Sequence, residues 1–217
     1  MELLSLDTAS EPITANRSRL YQLLVMAFAF PDEDFFTAVA DGIFAATVAG
    51  TCAALPYDLS DVARLDLGGA EIPYADFESE YIRLFDVGAA GPPCPLYGGV
   101  YIGDRMKTME DATRFYNYFH LRLSPQMHEL PDHITTELEF LHYLTFRETE
   151  LRQQGLDPSS LLRAERDFLA RHLCRWLPRM QARLAKQECP PFFPALVRFA
   201  IAFFDADQQY AAAAAGS

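Results

Sequence analysis

The sequence is poor in the residues that metal centres and disulfide frameworks require. Its 217 residues hold four cysteines, Cys52, Cys94, Cys174 and Cys189, far apart and with no C-x-x-C pair. That spacing spells neither a zinc knuckle nor a redox motif, and reduced thiols are the default. No apolar run is long enough to span a bilayer, and the opening stretch with Glu2, Asp7 and Glu11 lacks the basic flank of a signal peptide. A cytoplasmic location is the expectation. Positive charge is scarce too: 18 Lys and Arg stand against 30 Asp and Glu, a formal net charge of −12. Such a surface repels the phosphate backbone of nucleic acid and favours a cationic peptide or protein segment. The sequence offers no glycine-rich nucleotide loop, no nucleophile elbow and no stretch with the period-two alternation of a half-buried strand.

What is present is helical periodicity. Half of the residues are hydrophobic, ample for a buried core. Leu20, Leu23, Leu24, Ala27 and Phe28 mark a helix from Arg17 to Phe30, and Pro31 with Asp32 opens a second that carries Phe35 through Phe44. Pro56 to Gly69 is a broken connection with at most a short helix near Asp61. Asp76 to Phe85 places Phe77, Tyr81, Leu84 and Phe85 on one face and stops at Gly88. The segment Gly88 to Gly103 is turn chemistry loaded with Cys94, Leu96, Tyr97, Val100 and Tyr101, so core or ligand must cover it.

Arg105 to Phe119 is helical again. Pro131 reads as the first helical position of a long helix that runs to about Arg152 and closes at Gly155, which puts Asp132 and His133 in an exposed first turn. Asp157-Pro158 starts another amphipathic run through Trp176, kinked or divided by Pro178, and a last helix covers about Phe192 to Phe204. The pattern predicts an all-α single domain of about seven or more helices over residues 1–210, with 211–217 a frayed tail.

Two chemistries compete for these elements. Glu139 and His142 form an i, i+3 pair of the kind that ligates iron in helical bundles, so a helical-bundle metalloprotein using Glu139 and His142 is one reading. Such a site needs a second pair and two further glutamates, and no second copy is present. The other reading is peptide capture. The face of Tyr81, Leu84 and Phe85, the loop with Pro95, Leu96, Tyr97 and Tyr101, and the corner at Asp132 and His133 would line a groove with an apolar middle and a charged rim. Hydrophobic anchors would supply most of the binding energy, while Asp132, with Glu80 or Glu129, would select arginine through charge-assisted hydrogen bonds. Plainer roles stand beside these: Leu84 as core, Asp132 as a complement to the helix dipole, His133 as a partner for a loop carbonyl.

Three ordered motifs sharpen the second reading. They are Glu71 followed after eight residues by Glu80-Tyr81-Ile82-Arg83-Leu84-Phe85, then Pro95-Leu96-Tyr97-Gly98-Gly99-Val100-Tyr101, then Glu129-Leu130-Pro131-Asp132-His133. In them the sequence resembles the redox-enzyme maturation chaperones of the TorD/DmsD/NarJ family, whose motifs are E-x8-E-Y-x-x-L-F, P-x-Y-E-S-V-Y and E-x-P-D-H. One departure is Gly98-Gly99, where the family often has Glu and Ser, which removes a side-chain hydrogen bond and predicts a freer loop. The resemblance implies an all-helical, non-catalytic chaperone with no cofactor of its own. Its partner would be the apo-form catalytic subunit of a molybdoenzyme, held by its twin-arginine leader peptide or N-terminal segment while the molybdenum cofactor is inserted before export. Glu137 to Arg147 is similar to the branch that serves type II dimethyl-sulfoxide-reductase-like enzymes. A monomer or a domain-swapped dimer would suit such a bundle.

Overall fold

The structure is a computed structural model that describes residues 13–63, 67–68, 72–89, 91–123 and 129–215. All regular structure among them is helical. Helix α1 (Ile13–Phe28) is followed by α2 (Glu33–Ala40) and α3 (Ile43–Cys52), where the sequence predicts one helix rather than two. Asp32 caps α2 by accepting the Phe35 N–H at 2.7 Å. Between α2 and α3 the chain bends by 73° at Gly42, whose φ of +73° is a conformation that glycine adopts without strain. No single helix among the described residues is long and apolar enough to cross a membrane.

The short α4 (Ser60–Ala63) fills the broken connection, and Glu71 of the first motif lies outside the described residues. Helix α5 (Tyr74–Tyr81) runs into a π-helical turn, Ile82–Asp86, so the motif's Arg83, Leu84 and Phe85 sit on a widened turn rather than a regular helix end. The loop that follows contains one helical turn, α6 (Gly99–Ile102), and leads to α7 (Arg105–Tyr118). Then come α8 (Ile134–Gln153), α9 (Ser159–Arg171), α10 (Leu173–Leu184) and α11 (Phe192–Ala214).

Three boundaries differ from the periodicity. The long helix α8 begins at Ile134, not Pro131, because the Ile134 N–H donates to the Leu96 carbonyl at 2.9 Å and the Asp132 carbonyl accepts the Gly98 N–H at 2.9 Å. Tertiary pairing takes the groups that a further helical turn would use. The break between α9 and α10 falls at His172, with φ −118° and ψ −100°, while Pro178 sits inside α10. Finally, α11 continues through residues 211–214 with Ala211 fully buried, so that part of the expected frayed tail is packed helix.

Helix α11 is apolar nearly all round, burying Phe192, Phe193, Leu196, Val197, Phe199, Phe203 and Phe204, and it is the axis on which α9 and α10 pack. Helix α1 lies along α8. Where α1, α8, α9 and α11 meet, the core holds an ionic cluster. The fully buried Arg17 guanidinium donates to Asp207 at 2.6 Å and Glu148 at 2.5 Å and to Glu165, while Tyr21 and Tyr57 donate to Asp207 at 2.7 and 2.5 Å. Arg152 reaches Glu148 from the surface at 2.8 Å. Burial pushes the Glu165 carboxyl well up, aided by the Asp207 charge and opposed by Arg17. Burial works the same way on Asp207, but Arg17 together with hydrogen bonds from Glu165 and Tyr57 outweighs it and holds that carboxyl below its ordinary value. Glu165 thus holds its proton more tightly than an exposed glutamate, which eases the excess of three carboxylates over one arginine.

Candidate functional site

The second and third motifs meet at one corner. Tyr97 and His133 pair as an isolated antiparallel bridge between the loop and the start of α8, with ring centroids 4.8 Å apart. The Asp132 Oδ2 accepts the Gly99 N–H at 2.8 Å, so this one residue holds both glycine amides of the loop, one through its carbonyl and one through its carboxylate. Its other oxygen, Oδ1, is buried with no hydrogen-bond partner among the described residues. Both glycines are needed sterically. A Cβ on Gly99 would lie 2.8 Å from the Arg105 Cα and 2.9 Å from Asp132 Oδ2, and one on Gly98 would press on the Trp176 ring at 3.0 Å. The departure from Glu-Ser therefore gives a closely packed loop whose amides take the place of the absent side-chain bonds.

Behind the loop the clamp continues into α10. Trp176 stacks on Tyr101 with centroids 5.5 Å apart and donates its indole N–H to the fully buried Glu137 at 3.0 Å, and Glu137 also meets His172 Nδ1 at 3.1 Å. Tyr101 donates to the Pro95 carbonyl at 2.9 Å, and Tyr116 of α7 donates to the Pro131 carbonyl at 2.7 Å. Burial pushes the Cys94 thiol up to about 11, so this loop cysteine is an inert core residue.

These contacts revise the predicted groove. Leu84, Phe85, Leu96, Tyr81 and Tyr101 are buried, and Tyr81 and Phe85 pack on Phe193 of α11. They are the floor of the corner and do not line an open channel. Asp132, predicted as an exposed arginine-selecting carboxylate, is 1% exposed and spent on the loop. Pro95 is half-buried, and Glu80 is held in an i, i+3 pair with Arg83 at 2.7 Å.

The exposed polar rim is built from other groups. Tyr97 donates to Glu129 at 2.7 Å. His133 Nδ1 accepts the Thr135 N–H at 3.3 Å, which leaves the neutral ring's proton on Nε2, 3.7 Å from Glu129 Oε2. Burial keeps His133 below its ordinary value, opposed by Glu129 and Asp132. Glu129 is 41% exposed. The Tyr81 phenol, pushed up by burial, also feels the charges of Glu129 and Asp86, and Asp86, closing the π-helical turn that carries Phe85, is exposed. Phe30, exposed and edge-on to Tyr81 at 5.7 Å, with the exposed Val87 and Leu130, supplies apolar surface beside these acids. Sequence periodicity misses Asp86 and Phe30 because each lies at a helix terminus, Asp86 closing the π-helical turn and Phe30 two residues beyond α1, outside the apolar stripes.

The metal reading finds no second ligand set. Glu139 opens onto a cleft of about 200 Å³ lined by Tyr116, Thr136, Phe140 and Tyr143. His142 instead meets Ser18 of α1, with Nδ1 3.0 Å from its carbonyl oxygen and 2.9 Å from its hydroxyl. Among the described residues no group of three or more His, Cys, Asp or Glu is arranged to hold a metal ion.

Comparison with known proteins bears on the same residues. Residues 50–182 match the model of the family described as nitrate reductase delta subunit. The chain belongs to that family, and with it to the TorD/DmsD/NarJ group. It is 33% identical over 198 residues to the perchlorate reductase assembly chaperone protein of Dechloromonas aromatica, covering 88% of this chain and 87% of that one. The chlorate reductase assembly chaperone protein of Ideonella dechloratans is 38% identical over 113 residues, 51% of this chain and 58% of that one. The dimethyl sulfide dehydrogenase assembly chaperone protein of Rhodovulum sulfidophilum is 31% identical over 195 residues, 82% of this chain and 73% of that one. The family match spans the π-helical turn, the glycine loop and the first two helical turns beyond His172, which together make the corner described above.

Proposed function

We propose that this chain is a cytoplasmic, non-catalytic chaperone that assists assembly of a molybdenum-dependent oxidoreductase and binds the twin-arginine leader or N-terminal segment of its catalytic subunit. The observation that carries the reading is the near full-length similarity to the perchlorate reductase assembly chaperone, joined to a motif corner that is rigid beneath and acidic above. The molybdenum cofactor is cargo of the client in this reading and needs no residue here.

The contact surface is the rim. Guanidinium groups of the leader pair with Glu129 and Asp86, which lie in solvent but beside a low-dielectric floor, where charge-assisted hydrogen bonds gain over bulk water. Apolar leader side chains rest on Phe30, Val87 and Leu130. Tyr97 and His133 fix Glu129 in place, and Asp132 acts one step back by holding the loop that carries Tyr97. Titrating the full chain with an Arg-Arg leader peptide tests this. Saturable binding that weakens with salt and with Glu129→Gln is the expected result, and a chain that binds no leader peptide contradicts it.

A further inference from the structure

The acidic chain carries one face of opposite sign. From Arg171 to Gln187 it has Arg171, Arg175, Arg179, Arg183 and Lys186 and not one Asp or Glu, in a protein of net charge −12. Helix α10 buries Leu173, Trp176, Leu177, Met180 and Leu184, which turns Arg175, Arg179 and Arg183 outward in an i, i+4 ladder about 12 Å long. Like charges at that spacing repel each other, so the ladder is a cost that the fold itself does not require. None of Arg175, Arg179, Arg183 and Lys186 has an ion-pair partner among the described residues, although acids outnumber bases overall. Arg179 donates to the Tyr101 carbonyl at 2.6 Å and Arg183 lies 4.6 Å over the Tyr101 ring, and both contacts leave the positive charge unneutralised.

At its upper end the ladder joins a polar cleft of about 630 Å³ between α7 and the α9–α10 junction, where the bases Lys107, Arg114, Arg171 and Arg175 stand among the acids Asp104, Glu110 and Asp111 around His172, and Arg171 is paired with Asp111 at 2.5 Å. His172 is 1% exposed. Its Nε2 makes no hydrogen bond among the described residues, standing 3.3 Å from Asp111 Oδ2 without the geometry for one. With its Nδ1 facing the Glu137 carboxylate at 3.1 Å, the ring leaves a buried nitrogen at the floor of this cleft whose hydrogen-bonding capacity is unused among the described residues.

We infer that the outer face of α10, with the cleft at its upper end, is a docking surface for a short acidic protein segment, two or three carboxylates spaced to meet Arg175, Arg179 and Arg183. The finite length of the ladder fits such a segment, and the negative charge of the remaining surface disfavours extended polyanions, whether nucleic acid or a membrane. If the chaperone reading holds, the segment belongs to the body of the client, and the client is then gripped on both sides of the Pro95–Tyr101 loop: a cationic leader at the Glu129 rim and an acidic segment at α10. Only the identity of the partner rests on that reading.

The test uses the full chain and a labelled hexaglutamate peptide as probe. Saturable binding lost at high salt is expected, weakened about tenfold or more in Arg175→Glu/Arg183→Glu/Lys186→Glu and measurably in the milder Arg175→Gln/Lys186→Gln, which touches no other group. Arg-Arg leader peptide binding should be unchanged in both variants, so loss of one site leaves the other standing. No binding of hexaglutamate, binding indifferent to both variants, or preferential binding of a DNA oligonucleotide or of anionic vesicles at this face would overturn the inference.

Discussion

Two buried polar clusters in this protein do different work. The Arg17 cluster is closed: its guanidinium is divided among Asp207, Glu148 and Glu165, it lies at the meeting of four helices, and none of its carboxylates reaches the motif corner. The Asp132 cluster is half open. Asp132 itself is buried, yet the groups it positions, Tyr97, His133 and Glu129, lead outward to solvent, and its Oδ1 is left without a partner. The difference teaches where to look for function. Charge that is buried and fully paired sets which helices dock, whereas buried charge that orients an exposed neighbour shapes a surface.

The comparison breaks most visibly at Arg17. Arg17→Met leaves Asp207 buried without its counter-charge and Glu148 with Arg152 alone, and a loss of about 3–5 kcal/mol is expected in urea unfolding, with leader affinity of the folded fraction unchanged. A loss under about 1 kcal/mol would show that the cluster is not the core tie described. At the motif corner smaller changes are expected. Asp132→Ala strands the Gly99 N–H and Gly99→Ala drives a methyl into the Arg105 backbone, each costing about 1–3 kcal/mol. Because both break the same bond, the double variant should cost clearly less than the sum, and strict additivity would argue that the loop is held elsewhere.

A subtler contrast lies in pH. Glu165, raised by burial and by Asp207, releases its proton at a higher pH in the folded state than in the unfolded chain. Its contribution is full below the ordinary glutamate value and is lost as pH rises toward the folded value, so Glu165→Gln should flatten the alkaline decline in stability. Asp207, held low by Arg17 against burial, has the opposite sign: its contribution is present above the ordinary aspartate value and lost on acidification. Melting temperature followed across pH in both proteins checks this, and identical profiles would contradict a raised Glu165 carboxyl. The smallest effect is expected at the rim, where Glu129→Gln should change stability by less than about 1 kcal/mol while weakening a cationic peptide.

Helices carrying an apolar stripe with clear ends, such as α1 and α7, were legible in the sequence because burial of that stripe imposes its period, whereas α9 and α10 read as one run because the break at His172 carries no proline or glycine. The start of α8 was not. Pro131 carries a true helix-opening signal, but the Leu96 carbonyl and the Gly98 amide capture the groups on either side of His133 and move the boundary to Ile134. That same pairing buries Asp132, so motif order located the corner correctly and assigned its acid to the wrong depth. Arg17 marked only the start of the first helix in the sequence, and its partners lie 131, 148 and 190 residues away, beyond the reach of any local pattern. The α10 ladder was plain in the sequence and hidden only by the overall negative charge.

The most direct test of the central claim is calorimetric titration of the full chain with an Arg-Arg leader peptide, comparing the wild type with Asp86→Asn/Glu129→Gln and with Asp34→Asn as a surface control. The account predicts saturable, salt-sensitive binding that the rim variant weakens about tenfold and the control leaves unchanged. Equal affinities in all three proteins, or no binding to any leader peptide, would contradict it.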